Sequence, residues 1–306
     1  MKKNIVIAGA NSFIARHVIK QLENQNYNII ATVRKAPEKK YKLQNVQYIE
    51  MDMEEYHNIN KYIDKCDYYL PFAWSGTKRE YRNHEMINEK SYRCIFNSIR
   101  IMIEKCGCTK VILPGTFSEY KNEHIPIDEY TSCNADLAYG RYKHQLYRDA
   151  YCFCQKKNTA LVEARLFSVY GADDSSDKMI NWIMHKMLEN EKISLTKAEQ
   201  IWDFIHVDDV AAAFIKLMES EVESGCYNVA TNEHRTLKSY IEEMKAITGS
   251  QSELLYGAVS YGAEGIPHVI CKTDKILKTI DWKPKISFHD GIEEMIGYYS
   301  ERKQVK

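Results

Sequence analysis

The amino-acid sequence predicts an α/β fold: a doubly wound parallel sheet with a smaller mixed α/β lobe. Three observations predict it. Short apolar runs alternate with amphipathic stretches through the first two thirds of the 306 residues. These runs are rich in β-branched residues, as strands buried on both faces are. The first run leads into a glycine turn and a helix, an arrangement typical of nucleotide-binding sheets.

Each element follows from the spacing of the apolar residues and from turn signals between them. The predicted strands lie at 4–10, 27–33, 46–52, 66–74, 110–116 and 159–171. The helices that alternate with them are predicted at 13–24, 86–105 and 136–156. Because ligands bind at the carboxyl ends of strands in such sheets, the loops after these strands are where a site is expected.

Beyond Gly171 the alternation of apolar runs with amphipathic stretches becomes less regular. Residues 200–220 predict a strand and then a helix that Asp208 or Asp209 would cap. Further helices are predicted at 178–190, 237–248 and 291–301. We therefore divide the chain into residues 1–170, a nucleotide-binding Rossmann domain, and residues 171–306, mainly a substrate-binding lobe of which parts return to the sheet.

The composition excludes several classes of partner. The chain has 42 basic and 42 acidic side chains and no long basic run, so we expect no nucleic-acid partner. No window approaches the ~20 apolar residues of a membrane span, so we expect no membrane partner. The nine cysteines are scattered, odd in number and without C-x-x-C spacing. We therefore expect reduced thiols, no metal site and a cytoplasmic protein.

The turn after the first strand has Gly9, Ser12 and Ala15 where a dinucleotide-binding turn usually has three glycines. The first glycine allows the sharp turn, the second lets the backbone approach a pyrophosphate, and the third lets helix pack on strand. Ser12 crowds that approach, but its hydroxyl can cap the helix whose positive end would face the anion. This degenerate turn alone is equally compatible with a strand–helix connection that binds nothing.

Residues at the end of the second predicted strand favour a cofactor. In place of an acidic residue that would bind an adenosine ribose, the chain has Arg34 and Lys35. A guanidinium can bind a 2′-phosphate through two hydrogen bonds, which favours NADP over NAD. The alternative is an ordinary basic turn exposed to solvent.

Tyr139, Lys143 and Thr116 carry the stronger chemical signal. Tyr139 and Lys143 lie four residues apart on a predicted helix, hence on one face. An ammonium beside a phenol stabilises the phenolate, so we expect Lys143 to lower the Tyr139 pKa from about 10 toward neutral. Thr116 ends a predicted strand, where its hydroxyl can bind a substrate oxygen. The Tyr–Lys spacing alone is also found on ordinary helix surfaces.

In this order and spacing, these motifs resemble those of the extended short-chain dehydrogenase/reductase family, the NAD(P)-dependent epimerase/dehydratase group that acts on nucleotide sugars. The resemblance runs through nearly the whole chain. It covers "GANSFIA", "MDM", "LPFAW", "PGTFSEY", "YGRYK", "RLFSVYG", "WDFIHVDDVA", "YNVATNE" and "DWKPKISFHDGI". It implies a nucleotide-sugar substrate and, through the helices near 90–103 and 143–154, a homodimer.

The resemblance also implies roles for individual residues. The implied catalytic residues are Thr116, Tyr139 and Lys143. The implied cofactor contacts are Gly9, Asn11, Ser12, Phe13, Ile14, Arg34, Lys35, Asp52, Met53, Phe72, Ala73, Trp74, Asn88, Tyr139, Lys143 and Phe167. The implied substrate contacts are Trp74, Ser75, Thr116, Phe117, Ser118, Ser168 and Trp202.

Besides Ser12 and Ala15, which replace glycines, three positions depart from the family pattern. Trp74 replaces a small residue and would narrow the pocket near the nicotinamide. Ser168 replaces a frequent asparagine. Trp202 stands where similar enzymes carry an arginine for the diphosphate of the nucleotide sugar. The candidates to supply the missing charge are Lys178, Lys197 and Arg141.

The residues after Thr116 reduce the number of reactions that we expect. Relatives that remove water from the sugar carry an acid pair directly after this threonine, whereas here Phe117 and Ser118 follow and Glu119 is one position too far. A phenyl group cannot transfer a proton, so we do not expect 4,6-dehydratase activity. We predict an NADPH-dependent reductase of a nucleotide-linked 4-keto-6-deoxy sugar. The alternatives are a nucleotide-sugar 4-epimerase and a non-catalytic NADP sensor.

Overall fold

A parallel sheet forms the centre of the protein, as predicted. The computed structural model describes residues 2–37, 43, 45–121, 126–261 and 269–304. Their strands, in chain order, are β1 (Lys3–Ala8), β2 (Tyr27–Val33), β3 (Val46–Glu50), β4 (Tyr68–Pro71), β5 (Lys110–Thr116), β6 (Ala160–Leu166), β7 (Ser168–Tyr170), β8 (Ile193–Leu195), β9 (Ile201–Trp202), β10 (Phe204–His206), β11 (Gly225–Val229), β12 (Arg235–Thr236) and β13 (Leu254–Tyr256). Seven of the described strands form the main sheet, in the order β11-β6-β5-β4-β1-β2-β3, and all their pairings are parallel.

Helices cover both faces of this sheet, which confirms the doubly wound class. The helices of the described residues are α1 (Phe13–Leu22), α2 (Glu85–Glu104), α3 (Ala138–Lys156), α4 (Met179–Leu188), α5 (Val207–Glu219), α6 (Leu237–Thr248), α7 (Asp274–Thr279) and α8 (Phe288–Gln304). Successive residues of β1 point to opposite faces: Ile5 and Ile7 pack in the core with α1 and α5, and Val6 packs in the core with α2 and α3. The burial of both faces explains why a central strand such as β4 is continuously apolar.

A third core belongs to the second half of the chain. Tyr170, Phe204, Tyr240 and Phe288 pack their rings against one another between α4, α6 and α8. The division at residue 170 stays a prediction, although β11, which lies beyond it, is an edge strand of the main sheet. None of the described helices is both long enough and apolar enough to cross a membrane.

Two predicted elements are wrong in detail. The single strand predicted at 159–171 is two strands, because the chain leaves the main sheet at Phe167 and β7 then pairs with β10. The cap of α5 is His206, whose Nδ1 accepts a hydrogen bond from the Asp208 amide at 3.3 Å, and not Asp208 or Asp209. Asp209 instead accepts the amides of Lys285 and Ile286.

Candidate active site

The carboxyl ends of the central strands open into one cleft of about 600 Å³. The cleft brings together thirteen of the predicted residues: Ser12, Phe13, Ile14, Phe72, Trp74, Thr116, Phe117, Ser118, Tyr139, Lys143, Phe167, Ser168 and Trp202. The other predicted residues lie outside its lining: Gly9, Asn11, Arg34, Lys35, Asp52, Met53, Ala73, Ser75 and Asn88. The functional roles of all of them stay predictions.

The three predicted catalytic residues share a wall of the cleft. Thr116 is the last residue of β5, and its hydroxyl accepts a hydrogen bond from the Ser118 amide at 3.3 Å. Tyr139 and Lys143 lie one turn apart on α3. The Lys143 amine is buried and donates a hydrogen bond of 2.9 Å to the carbonyl of Pro114. Strand β5 and helix α3 therefore hold two hydroxyl groups and an amine around the same space.

Gly140 explains how α3 comes this close to β5. A Cβ atom at Gly140 would lie 1.9 Å from the carbonyl oxygen of Ser118, so only glycine fits there. The 3-10 turn Phe117–Glu119 packs directly on this point of the helix. The glycine between Tyr139 and Lys143 thus sets their distance from Thr116.

Burial dominates the protonation of Tyr139 and Lys143. Burial lowers the pKa of Lys143 to about 8, although Glu119 and Glu163 act in the opposite direction. Burial also raises the pKa of Tyr139 above its usual value, and the opposing effects of Arg82 and Thr116 are smaller. The expected net fall of the Tyr139 pKa is therefore wrong for the chain alone, because loss of solvent outweighs the positive charge of Arg82.

The turn after β1 has the geometry that a dinucleotide needs. Gly9 has a φ of +72°, and a Cβ there would lie 2.6 Å from the Ala73 amide nitrogen. The predicted side-chain cap is wrong: Ser12 occupies the N-cap of α1, but its hydroxyl makes no capping hydrogen bond. The Ser12 oxygen is buried and has no hydrogen-bond partner among the described residues. It lies in the cleft wall at the positive end of α1, so an anion there would satisfy it.

The basic pair predicted to choose the cofactor lies beside this turn. Arg34 and Lys35 directly follow β2 and are exposed, and the Lys35 carbonyl accepts a hydrogen bond from the Asn11 side chain at 3.1 Å. Asp52 is also exposed, and it caps the 3-10 helix Met53–Lys61 through the Glu54 amide. These groups lie at the carboxyl ends of β2 and β3, next to the turn after β1.

Trp74 lines the cleft beside two of the predicted catalytic residues. Its ring lies 4.4 Å from the Lys143 amine and 6.3 Å, edge to face, from the Tyr139 ring. Asn88 is fully buried and accepts the Trp74 indole N–H at 3.0 Å. The Asn88 amide group donates to the carbonyls of Tyr81 and His84. Asn88 therefore fixes Trp74 and the loop before α2, and does not line the cleft.

Three aromatic residues, Phe117, Phe167 and Trp202, form one wall of the cleft. Phe117 stacks on Phe167 at 5.6 Å and meets the edge of Trp202 at 6.2 Å. The Trp202 indole N–H is buried and has no hydrogen-bond partner within the described part of the chain. Arg235, opposite Trp202 in the neighbouring strand, turns away to Glu243 and to the Tyr240 ring. This wall can therefore offer an apolar face and one N–H donor.

Of the three cations considered for the missing arginine, Lys178 alone lines the cleft. It is the N-cap residue of α4. Arg141 pairs with Glu85 outside the cleft, and Lys197 is exposed near Gly257.

Arg82 is a cleft residue that was not predicted from the sequence. Its side chain lines the cleft 5.7 Å from the centre of the Tyr139 ring, and its carbonyl accepts the Tyr139 amide at 2.8 Å. Lys78 lines the cleft from the same loop. Nothing in the polar stretch between β4 and α2 distinguishes these two cations from its other charged residues, because the folding of the loop over α3 decides which of them face inward.

Comparison with known proteins agrees with this geometry. Residues 5–230, more than half of the chain, match the profile of the NAD dependent epimerase/dehydratase family. The chain belongs to this family. The predicted resemblance is thereby confirmed, and so is the prediction of an oxidoreductase or epimerase of the extended short-chain dehydrogenase/reductase type.

Relatives within the epimerase/dehydratase family extend over the whole chain. A CDP-abequose synthase from Salmonella muenchen is 26% identical over 97% of this chain and 98% of its own length. A dTDP-4-dehydro-6-deoxyglucose reductase from Escherichia coli is 21% identical over 96% of this chain and 97% of its own. The crystal structure of UDP-glucose 4-epimerase from Thermotoga maritima with UDP-glucose has the same fold, with a TM-score of 0.85, 20% identity, and coverage of 99% of this chain and 100% of that one.

Proposed function

We propose that this protein is an NADPH-dependent reductase that converts the ketone of a nucleotide-linked 4-keto-6-deoxy sugar to an alcohol. The observation that carries the proposal is the meeting of Thr116, Tyr139 and Lys143 in one cleft beside a dinucleotide-type turn. A hydroxyl, a phenol and a buried amine are the groups that a ketone reduction requires from the protein.

Each of these three residues has a distinct part in the proposed reaction. Bound NADPH would supply the hydride. The Thr116 hydroxyl hydrogen-bonds to the ketone oxygen and orients it. Tyr139 gives that oxygen a proton, and its raised pKa keeps the phenol protonated, as a proton donor must be. Lys143 donates hydrogen bonds to the nicotinamide ribose and returns a proton to Tyr139.

The residues that would hold the cofactor are on three neighbouring loops. Gly9 permits close approach of the backbone, and the unpartnered Ser12 hydroxyl donates to the pyrophosphate. Arg34 and Lys35 bind the 2′-phosphate that distinguishes NADP from NAD. Their exposure at the end of β2 supports this assignment.

The rest of the cleft suits a deoxygenated nucleotide sugar. The aromatic wall of Phe117, Phe167 and Trp202 packs against the apolar face of a 6-deoxy sugar. Arg82 and Lys178 bind the diphosphate in place of the missing arginine. The relatives named for abequose synthesis and for reduction of a 4-dehydro-6-deoxyglucose support a reductase with such a substrate.

A 4-epimerase is the second candidate. It needs the same three residues, and a putative UDP-glucose 4-epimerase of Methanocaldococcus jannaschii is 22% identical over 96% of this chain. Epimerisation differs from reduction in two ways. The cofactor returns to its original oxidation state in each cycle, and the sugar must rotate within the cleft to present its other face.

NADPH oxidation in the presence of nucleotide-linked 4-keto sugars tests the proposal. The panel contains CDP-, dTDP- and UDP-linked 4-keto-6-deoxy hexoses, with the corresponding 4-hydroxy sugars as controls. We expect stoichiometric NADPH consumption and a 4-hydroxy product with at least one ketone. Interconversion of two 4-hydroxy sugars without net cofactor consumption would establish the epimerase instead.

The helices α2 and α3 are the proposed homodimer interface. Their outer surface carries Tyr92 and Phe96, stacked 6.1 Å apart, with Tyr142 beside them. Sedimentation velocity tests this expectation.

A further inference from the structure

A cluster of buried charged side chains lies next to the catalytic wall without lining the cleft. It consists of Glu119, at the end of the 3-10 turn after β5, and of Glu163 and Arg165, both on β6. The exposed fraction is 0% for both glutamates and 1% for the arginine. Charged side chains are almost never buried this completely without a compensating arrangement.

Glu119 connects this cluster to Thr116. Its Oε1 accepts the Thr116 amide at 2.8 Å, and its Oε2 lies 3.4 Å from Arg165 Nε. The same Arg165 nitrogen donates to Glu163 Oε2 at 2.7 Å. The Thr116 backbone is thus anchored to a buried ion pair.

The cluster and Lys143 contact the same short segment of β5. The Lys143 amine donates to the carbonyl of Pro114, and the next residue, Gly115, packs on the cluster. A Cβ at Gly115 would lie 2.7 Å from Glu163 Cγ and 2.9 Å from Arg165 Cγ. Lys143 and the two carboxyl groups are therefore separated by little more than one backbone segment.

Two cations and two carboxyl groups lie around that segment. Arg165 is always protonated, and Lys143 adds a second buried cation when it is an ammonium. Burial, and then the neighbouring Glu119, raise the pKa of Glu163 well above its usual range. Glu119 lies 3.4 Å from Arg165 and affects the pKa of Lys143 more than Glu163 does. Its charge raises the pKa of Lys143 and of Tyr139.

We propose that Glu119 is a positioning residue that fixes the Thr116 amide and supplies the buried negative charge that keeps Lys143 an ammonium and Tyr139 a phenol. The proposal rests on the proposed function for the roles of those three residues. His144 also faces Glu119, with Nδ1 3.8 Å from Oε2. The other titratable or charged groups around the cluster are Arg82, Tyr120, Cys133, Tyr147 and Cys226.

Glu119→Gln tests the charge, and Glu163→Gln is its matched control. Glutamine at 119 keeps an oxygen for the Thr116 amide but removes the charge, whereas Glu163→Gln alters the carboxyl group that has the smaller effect on the Lys143 pKa. The full-length protein is labelled with 13C at lysine Cε, and the Lys143 signal is assigned with Lys143→Met. NMR titration then measures its midpoint.

We expect Glu119→Gln to lower the Lys143 midpoint by about half a pH unit or more, and Glu163→Gln to change it by less. An unchanged midpoint in Glu119→Gln, or an equal fall in Glu163→Gln, would overturn the proposal. If Glu119→Gln does not fold, Glu119→Asp decides: it retains the charge, so the midpoint should stay near that of the parent protein, and a fall in that midpoint would overturn the proposal.

The activity measurement separates this proposal from the proposed function. In ketone reduction, Glu119→Gln should move the alkaline fall of kcat/KM to lower pH, because both Lys143 and Tyr139 lose protons earlier. An alkaline fall at the parental pH would count against the role of Glu119. The NMR titration needs no substrate, so lack of turnover by the parent protein would refute the reductase and leave the charge test intact.

Discussion

The indole ring of Trp74 lies 4.4 Å from the Lys143 amine, and both residues line the cleft. A cation–π contact of this kind is worth about 0.5–2 kcal/mol and favours the ammonium. Burial acts the other way, since it has lowered the Lys143 pKa from 10.5 to about 8, or about 3 kcal/mol. Loss of water therefore outweighs the ring's attraction, and Lys143 titrates near neutrality.

The first prediction concerns the pH dependence that follows from Lys143. Because the ammonium form is lost as pH rises through about 8, kcat/KM for ketone reduction should fall in that range. Trp74→Ala admits water to the amine and should move the fall to higher pH. Trp74→Phe keeps an aromatic ring and should move it less. A pH profile with the same alkaline limb in Trp74→Ala would contradict the assignment to Lys143.

Cofactor choice gives a second prediction. Arg34→Ala removes hydrogen bonds between charged groups, each worth roughly 1.5–3 kcal/mol, so kcat/KM with NADPH should fall about 10-fold or more. Activity with NADH should change little. Arg93→Ala, at an exposed arginine paired with Glu89 on α2, is the control and should alter neither. Equal losses with both cofactors would show that Arg34 does not read the 2′-phosphate.

Tyr139→Phe separates catalysis from binding. It removes the proposed proton donor while keeping the ring that packs edge to face on Trp74. Turnover should fall about 100-fold or more, with NADPH affinity nearly unchanged in a fluorescence titration. If no ketone is reduced by the parent protein either, while NADPH still binds, the non-catalytic NADP sensor is the better description.

A fourth prediction concerns stability at alkaline pH. The His17 ring contacts Asp208 at 2.6 Å and Asp173 at 2.9 Å, and so links α1 to α5 and to the loop after β7. Burial lowers its pKa, but the two hydrogen bonds outweigh burial and raise it to about 9.

The sign of the effect follows from that shift. Since the folded pKa of His17 is raised above the unfolded value near 6.5, its contribution is complete below pH 6.5 and disappears as pH rises through about 9. We expect the free energy of unfolding, measured in urea, to decline by on the order of 2 kcal/mol over this range. His17→Asn should be less stable at pH 6 and show a flatter pH dependence. A parent protein whose stability does not fall between pH 6.5 and 9 would exclude a charged His17.

Gly140 and Gly297 both lie in helices but differ in their surroundings, so alanine at each position tests how closely α3 is packed. Gly140→Ala places a methyl group 1.9 Å from the Ser118 carbonyl and should cost about 1–3 kcal/mol, because α3 must move away from the turn. Gly297→Ala in α8 meets nothing within 4 Å and should stabilise the protein by up to about 1 kcal/mol. Urea denaturation of both variants measures the contrast. Similar stabilities would show that α3 does not depend on this close contact.

The sequence predicts the sheet well and the site in part, for physical reasons. Strands buried on both faces, such as β4, are continuously apolar and therefore stand out. The break at Phe167 does not stand out, because apolar residues such as Leu166 and Val169 lie on both sides of it while the pairing partners change. The spacing of Tyr139 and Lys143 places both on one helix face, but it carries no information about burial, which sets their pKa values. Arg82 faces the cleft only through tertiary packing.

The hydrogen bond from the Tyr139 amide to the Arg82 carbonyl has a consequence for how such a protein can change. The loop that places Arg82 in the cleft also fastens the first turn of the helix that carries Tyr139. Residues inserted into or deleted from that loop would shift the Tyr139 hydroxyl along with the Arg82 guanidinium. The positions of these two groups are therefore coupled, so the lining of the cleft is more easily changed by replacing side chains in the loop than by altering its length.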